Sequence, residues 1–128
     1  MMKQIIGAVD VLQYEPYGFT NCVRYRDVLY LSGIGALDPK GKVVGTDIET
    51  QTAYIFGTID KILRTGGSRL DQIIQMTSFV VNLEQNGARY VAARKKLLTR
   101  HDYTSATVGA SALMIPGLLV EVQCCAAV

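Results

Sequence analysis

Apolar and polar positions alternate most clearly at the end of the chain. There Leu118, Val120, Val122, Cys124 and Ala126 interleave with Leu119, Glu121, Gln123, Cys125 and Ala127. A period of two sends the two sets to opposite faces of a β-strand, so Glu121 and Gln123 share one face. Both faces are otherwise apolar and each needs a cover. Helices would cover one and another subunit the other. A carboxylate in that position must be paired, hydrogen-bonded or protonated.

A helical period replaces alternation between Ile48 and Thr65, where Ile48, Ile55, Ile59, Ile62 and Leu63 form one stripe closed by Gly66-Gly67. Thr46-x-x-Glu49 has capping-box spacing at its start. Gly57 sits inside this helix and suggests close packing on a sheet. A second helix is expected from Asn86 or Gly87 to Arg100, with Tyr90, Val91, Arg94, Leu97 and Leu98 along one side. Strands are expected over Met2–Val9, Phe19–Tyr25, Val28–Ile34, Met76–Leu83, Thr104–Ser111 and Leu118–Val128. Turns fall at Arg26-Asp27, at Asp38-Pro39-Lys40-Gly41, which leads into a short returning strand, and at Pro116-Gly117. Ser68-Arg69-Leu70-Asp71 reads as a short capped turn. The order is β-β-β-α-β-α-β-β, an α+β arrangement with two helices on one face of a mixed sheet.

The 128 residues, 49% hydrophobic and 19% charged, read as a single domain over 1–128, without repeats or linkers. No apolar run is long enough to span a bilayer and no leader pattern opens the chain, so a cytoplasmic protein without membrane contact is expected. A net charge of +2 is too small to imply a polyanionic partner. Arg89, Arg94, Lys95, Lys96 and Arg100 read as solvated helix faces rather than a nucleic-acid surface. Cys22, Cys124 and Cys125 read as reduced thiols. With one histidine and no Cys-x-x-Cys, neither a metal site nor a cofactor is expected.

The segment from Leu29 to Thr52 resembles the signature of the RidA (YjgF-type) family. Gly66-Gly67-Ser68-x-Leu70-Asp71, Thr77-x-Phe79-Val80 and Leu119-Val120-Glu121-Val122 follow in family order. The resemblance covers residue 14 onward. It implies a chorismate-mutase-like subunit in a homotrimer, with a central barrel and three inter-subunit pockets. It also implies hydrolysis of small enamines or imines, the activity of the best-known members.

By that resemblance Glu121 is the pocket glutamate that positions or activates water. Ser32 and Gly33 line the pocket, and the backbone of Thr107 and Gly109 meets the ligand. The arginine that grips a substrate carboxylate in hydrolytic members is replaced here by Ser105. The pocket tyrosine position falls on Phe19 without gaps, or on Tyr17 with a two-residue shift. Ile34 replaces the polar residue that usually follows Ser-Gly. An α-imino acid is therefore a poor fit, and a neutral or differently charged metabolite a better one. The alternative is a non-catalytic trimer that binds a small molecule or a partner. Ribonuclease action, attached to some relatives by name, has no histidine pair, metal ligands or basic groove behind it.

Overall fold

The computed structural model describes residues 2–128 and resolves the periodicities above into seven strands and two α-helices. The strands are β1 (Gln4–Ile5), β2 (Cys22–Tyr25), β3 (Val28–Leu31), β4 (Ile34–Gly35), β5 (Ile73–Val81), β6 (Thr104–Ala110) and β7 (Val120–Ala127). The helices are α1 (Ile48–Thr65) and α2 (Leu83–Leu97). One sheet runs β1-β2-β3-β7-β5-β6, with β4 continuing the β3 edge along β7. Only β5 and β6 pair parallel, so the sheet is mixed, and the architecture is the expected α+β one.

The helices cover the face that carries the even-numbered residues of β7. Val120, Val122, Cys124 and Ala126 are buried together with Ile48, Ile55, Phe56, Ile59, Ile62 and Leu63 of α1. On the opposite face Glu121, Cys125 and Ala127 are half-buried and Gln123 is exposed. The alternation therefore divides the strand as the sequence suggests. Among the described residues no helix is long and apolar enough to cross a membrane.

Several local expectations shift. The cap of α1 is Asp47, not Thr46. Its Oδ1 accepts from the Thr50 backbone N–H at 2.7 Å and its Oδ2 from the Thr50 hydroxyl at 2.9 Å. The turn after Gly67 has no side-chain cap, and the Ser68 hydroxyl instead donates to the Ala127 carbonyl. Helix α2 begins three residues earlier than Asn86 and ends at Leu97 rather than Arg100, with Gly87 inside it as a contact point. A Cβ there would lie 3.0 Å from the Leu83 side chain. Arg94 is buried, unlike the rest of its basic cluster.

Gly57 does not pack on the sheet. It is exposed, and a Cβ added there meets nothing within 4 Å. Gly57→Ala is therefore expected to stabilise the protein by about 1 kcal/mol through helix propensity alone. Denaturant unfolding checks this, with a raised midpoint and an unchanged slope.

Candidate functional site

Between Leu31 and Ile34 the strand edge along β7 is interrupted at Ser32-Gly33, opposite Gln123. A cavity of about 600 Å³ opens here on the face away from the helices. Its polar end holds Glu121, Gln123, Ser32 and Tyr14, and its apolar walls include Phe19, Leu37, Met114, Ile115 and Leu118. Tyr17 stands at the rim, mostly exposed.

Glycine makes room for the carboxylate. A Cβ on Gly33 would fall 2.8 Å from the Glu121 carboxyl carbon and closer still to Oε2. Among the described residues the Glu121 carboxylate has no ion-pair partner. Burial pushes its pKa above the ordinary glutamate value, with no offsetting donor among the described residues. Tyr14 donates its hydroxyl to the Gly33 carbonyl at 2.9 Å. Burial first, and then the Glu121 charge, push its pKa up to about 12, so it stays a neutral donor. Asn21 pins this loop by accepting from the Tyr14 N–H at 3.1 Å and donating to the Leu12 carbonyl at 2.8 Å. The Ser32 hydroxyl is spent on the Thr20 carbonyl at 2.6 Å.

The expected site residues thus divide into two groups. Glu121, Ser32, Gly33, Phe19 and Tyr17 share the cavity. Ser105, Thr107 and Gly109 lie elsewhere, on β6, in register with Met76, Ser78 and Val80 of β5. Those three β5 residues are buried on the helix side, so the β6 group faces the opposite side of the sheet from Glu121. It also lies two strands away, about 10 Å. Within one chain the two groups cannot serve one ligand.

Both tyrosine alternatives, Phe19 and Tyr17, reach the cavity, so sequence spacing alone could not choose between them. Tyr14, which sequence reasoning missed, packs against Phe19 with ring centroids 4.7 Å apart and the rings tilted by 45°. Its only sequence signal is a third aromatic in the same loop. Ile34 is buried in the core and brings nothing to the cavity. Among the described residues no cluster of three histidine, cysteine or acidic side chains could hold a metal. Cys22 and Cys124 are buried, and burial raises their thiols to about 11 and about 12. Cys125 is half-buried on the opposite face.

A second polar cluster lies beside β6. Arg94 of α2 donates from Nη1 to the Ser105 hydroxyl oxygen at 2.9 Å. Its guanidinium carbon sits 5.2 Å from the Tyr90 ring centre and 5.5 Å from that of Tyr103.

A family profile described as "Endoribonuclease L-PSP" matches residues 14–128. The chain is 33% identical over 97 residues to the "Putative regulator AldR" of Lactococcus lactis subsp. lactis, covering 75% of each. It is 38% identical over 81 residues to a RutC family protein of Saccharolobus solfataricus, covering 62% of this chain and 61% of that one. Among solved structures it superposes with a TM-score of 0.89 on YyfA of Yersinia pestis, described as a conserved Rid family protein of unknown function. That pair is 28% identical, covering 99% of this chain and 100% of the other.

Proposed function

The chain belongs to the endoribonuclease L-PSP family of the RidA/YjgF superfamily, and from that premise we propose that it hydrolyses a small enamine or imine in clefts between copies of itself. One observation carries the reading. Glu121 is a half-buried carboxylate at the end of an apolar-walled cavity, with no partner among the described residues. Such a group has its raised affinity for protons free for chemistry rather than for structure.

The reaction adds one water to C=N and gives a carbonyl and ammonia, with no change of oxidation state. Glu121 takes a proton as the water oxygen attacks carbon and passes it to nitrogen, giving a carbinolamine. It then takes the hydroxyl proton and passes it to nitrogen as the C–N bond breaks, leaving a carbonyl and ammonia. An enamine first takes a proton at carbon and gives one up from nitrogen to become the imine. The Tyr14 and Tyr17 hydroxyls stand at the wall, and Ser32 and Gly33 set the floor.

Assembly of copies, in the homotrimer the family resemblance implies, supplies the second half of the site. Strand β6 is a free sheet edge of seven residues without charge or proline, a surface that invites cover by another chain. Phe19, Tyr17, Met114 and Val108 are likewise exposed apolar side chains that one chain leaves uncovered. A neighbour's Ser105 and Thr107 hydroxyls and the Gly109 backbone would then face the ligand. Because β6 carries no arginine, an α-imino acid loses a charge-assisted clamp of about 1.5–3 kcal/mol per hydrogen bond.

Ammonia release tests this. Neutral imines should turn over faster than 2-iminobutanoate or 2-aminoacrylate. Comparable turnover of the α-imino acids would refute the substrate assignment. Silence across the whole panel would refute hydrolysis and favour the second reading, a non-catalytic metabolite-binding protein. The regulator name of the Lactococcus relative and the missing arginine support that second reading.

Gly33→Ala probes the placement of the carboxylate. The atoms nearest the added methyl all belong to the Glu121 side chain, which can turn aside without a backbone shift. Melting temperature should stay close to wild type while ammonia release falls at least about tenfold, since small misplacements of reacting groups are costly. Retained full activity would show that the carboxylate position is not critical.

A further inference from the structure

Arg94 is the one arginine of α2 that the chain buries, and among the described residues it has no counter-charge. Its exposure is 8%. The four ion pairs among those residues use Arg64, Arg69, Arg89 and Arg100, each with a carboxylate, and none uses Arg94. A guanidinium taken out of water without an anion is costly, and aromatic faces offset only part of that cost. Tyr90 and Tyr103 provide such faces. Nη1 is engaged by the Ser105 hydroxyl at 2.9 Å and more weakly by Met76 Sδ at 3.6 Å.

Apart from the nearby Tyr90 hydroxyl, Nε and Nη2 meet no acceptor among the described residues, and no side-chain nitrogen or oxygen there is sealed from solvent without a partner. These two donors therefore keep some contact with solvent. They form the parallel edge that suits a carboxylate. Arg89, five residues earlier on the same helix, shows what that edge does. Its Nε and Nη2 hold the Glu49 carboxylate at 2.9 and 2.6 Å.

We propose that Arg94 and the Ser105 hydroxyl form a carboxylate-binding subsite beside β6, so that the substrate carries an acidic group remote from its C=N carbon. The substrate class rests on the hydrolytic reading above; the subsite does not. Ser105 accepts from Nη1, which leaves its own O–H to donate to the anion. The guanidinium is rooted on α2 and held between two rings at the strand itself. An arginine at position 105 would instead carry its guanidinium several bonds further from the β6 backbone than the Ser105 hydroxyl that Arg94 reaches. A carboxylate bound by Arg94 therefore sits further back from the reacting carbon than an α-carboxylate would.

Calorimetric titration of the full-length protein with pentanoate and with pentanamide reads the subsite without any turnover. Pentanoate should bind at least about tenfold more tightly. The preference should vanish in Arg94→Gln and shrink in Ser105→Ala, which also serves as the readout should Arg94→Gln not fold. Arg94→Lys should keep part of it. Equal binding of the acid and the amide, or a preference that survives Arg94→Gln, overturns the proposal. A second arm compares ammonia release from the imines of 4-aminobutanoate and butylamine, generated in situ. A lower KM for the acid, lost in Arg94→Gln, is the expected result. Turnover without that preference overturns the remote acidic group and leaves hydrolysis standing. Arg94-dependent pentanoate binding with no ammonia release supports the subsite and overturns hydrolysis.

Discussion

Glu121→Gln is expected to reduce ammonia release by about 10²- to 10⁴-fold, the range for loss of a positioned general base. The amide keeps the shape of the side chain and cannot take a proton. The wild-type rate should rise with pH as the carboxylate ionises, with its midpoint above the ordinary glutamate value of about 4.3, because burial raises this group. The same shift has a consequence for stability. A carboxyl with a raised folded-state pKa favours the native state fully at low pH. That contribution is lost as pH climbs from the unfolded value through the folded one. Glu121→Gln should therefore melt at a higher temperature than wild type at pH 7, and the gap should close below about pH 4.3. Rates and melting curves from pH 4 to 9 check both parts. A variant that keeps most of its activity would remove Glu121 from the chemistry.

Gln51→Leu is expected to destabilise the protein by about 3 kcal/mol or more. Gln51 is fully buried in the first turns of α1. Its Nε2 donates to the Gly45 carbonyl at 3.1 Å and to the Gly117 carbonyl at 2.9 Å. Its Oε1 accepts from the Leu119 N–H at 2.8 Å. Leucine fills similar space but leaves three backbone groups without partners, each costing about 1–3 kcal/mol when sealed from water. The melting temperature should fall by about 10 °C or more. Because Gly117 and Leu119 flank Leu118 of the cavity wall, ligand binding should weaken even below the melting transition. A drop of only a degree or two would mean that water replaces the amide at no cost.

Legibility of the chain follows the range of the interactions. Helix α1 runs over the expected Ile48–Thr65 because an apolar stripe and two closing glycines are local signals. Its cap was displaced by one residue, since Thr46 and Asp47 are both capable caps and only backbone geometry selects between them. Helix α2 runs Leu83–Leu97, three residues earlier at each end than the expected Asn86–Arg100. Gly87 lies inside it, and its missing side chain admits Leu83. Gly57 shows the converse, a glycine that suggests contact and has none.

In the cavity, Glu121 and Gln123 were legible because a period of two assigns them to one face whatever the rest of the chain does. Tyr14 was not, because its hydroxyl reaches Gly33 across nineteen residues. Nor was Arg94. In sequence it belongs to a basic run, and its burial depends on Tyr103 and Ser105 arriving from another element.

Periodicity, turn chemistry and the order of motifs determined the α+β layers, the helix stripe and the face that carries Glu121, because each depends on neighbours within a few positions. Tertiary structure alone decided that Ser105 and Glu121 lie on opposite faces of the sheet, and that a guanidinium absent from β6 returns to Ser105 from α2. Those outcomes depend on which strands pair and which helix packs beside them, and local spacing does not encode such distances.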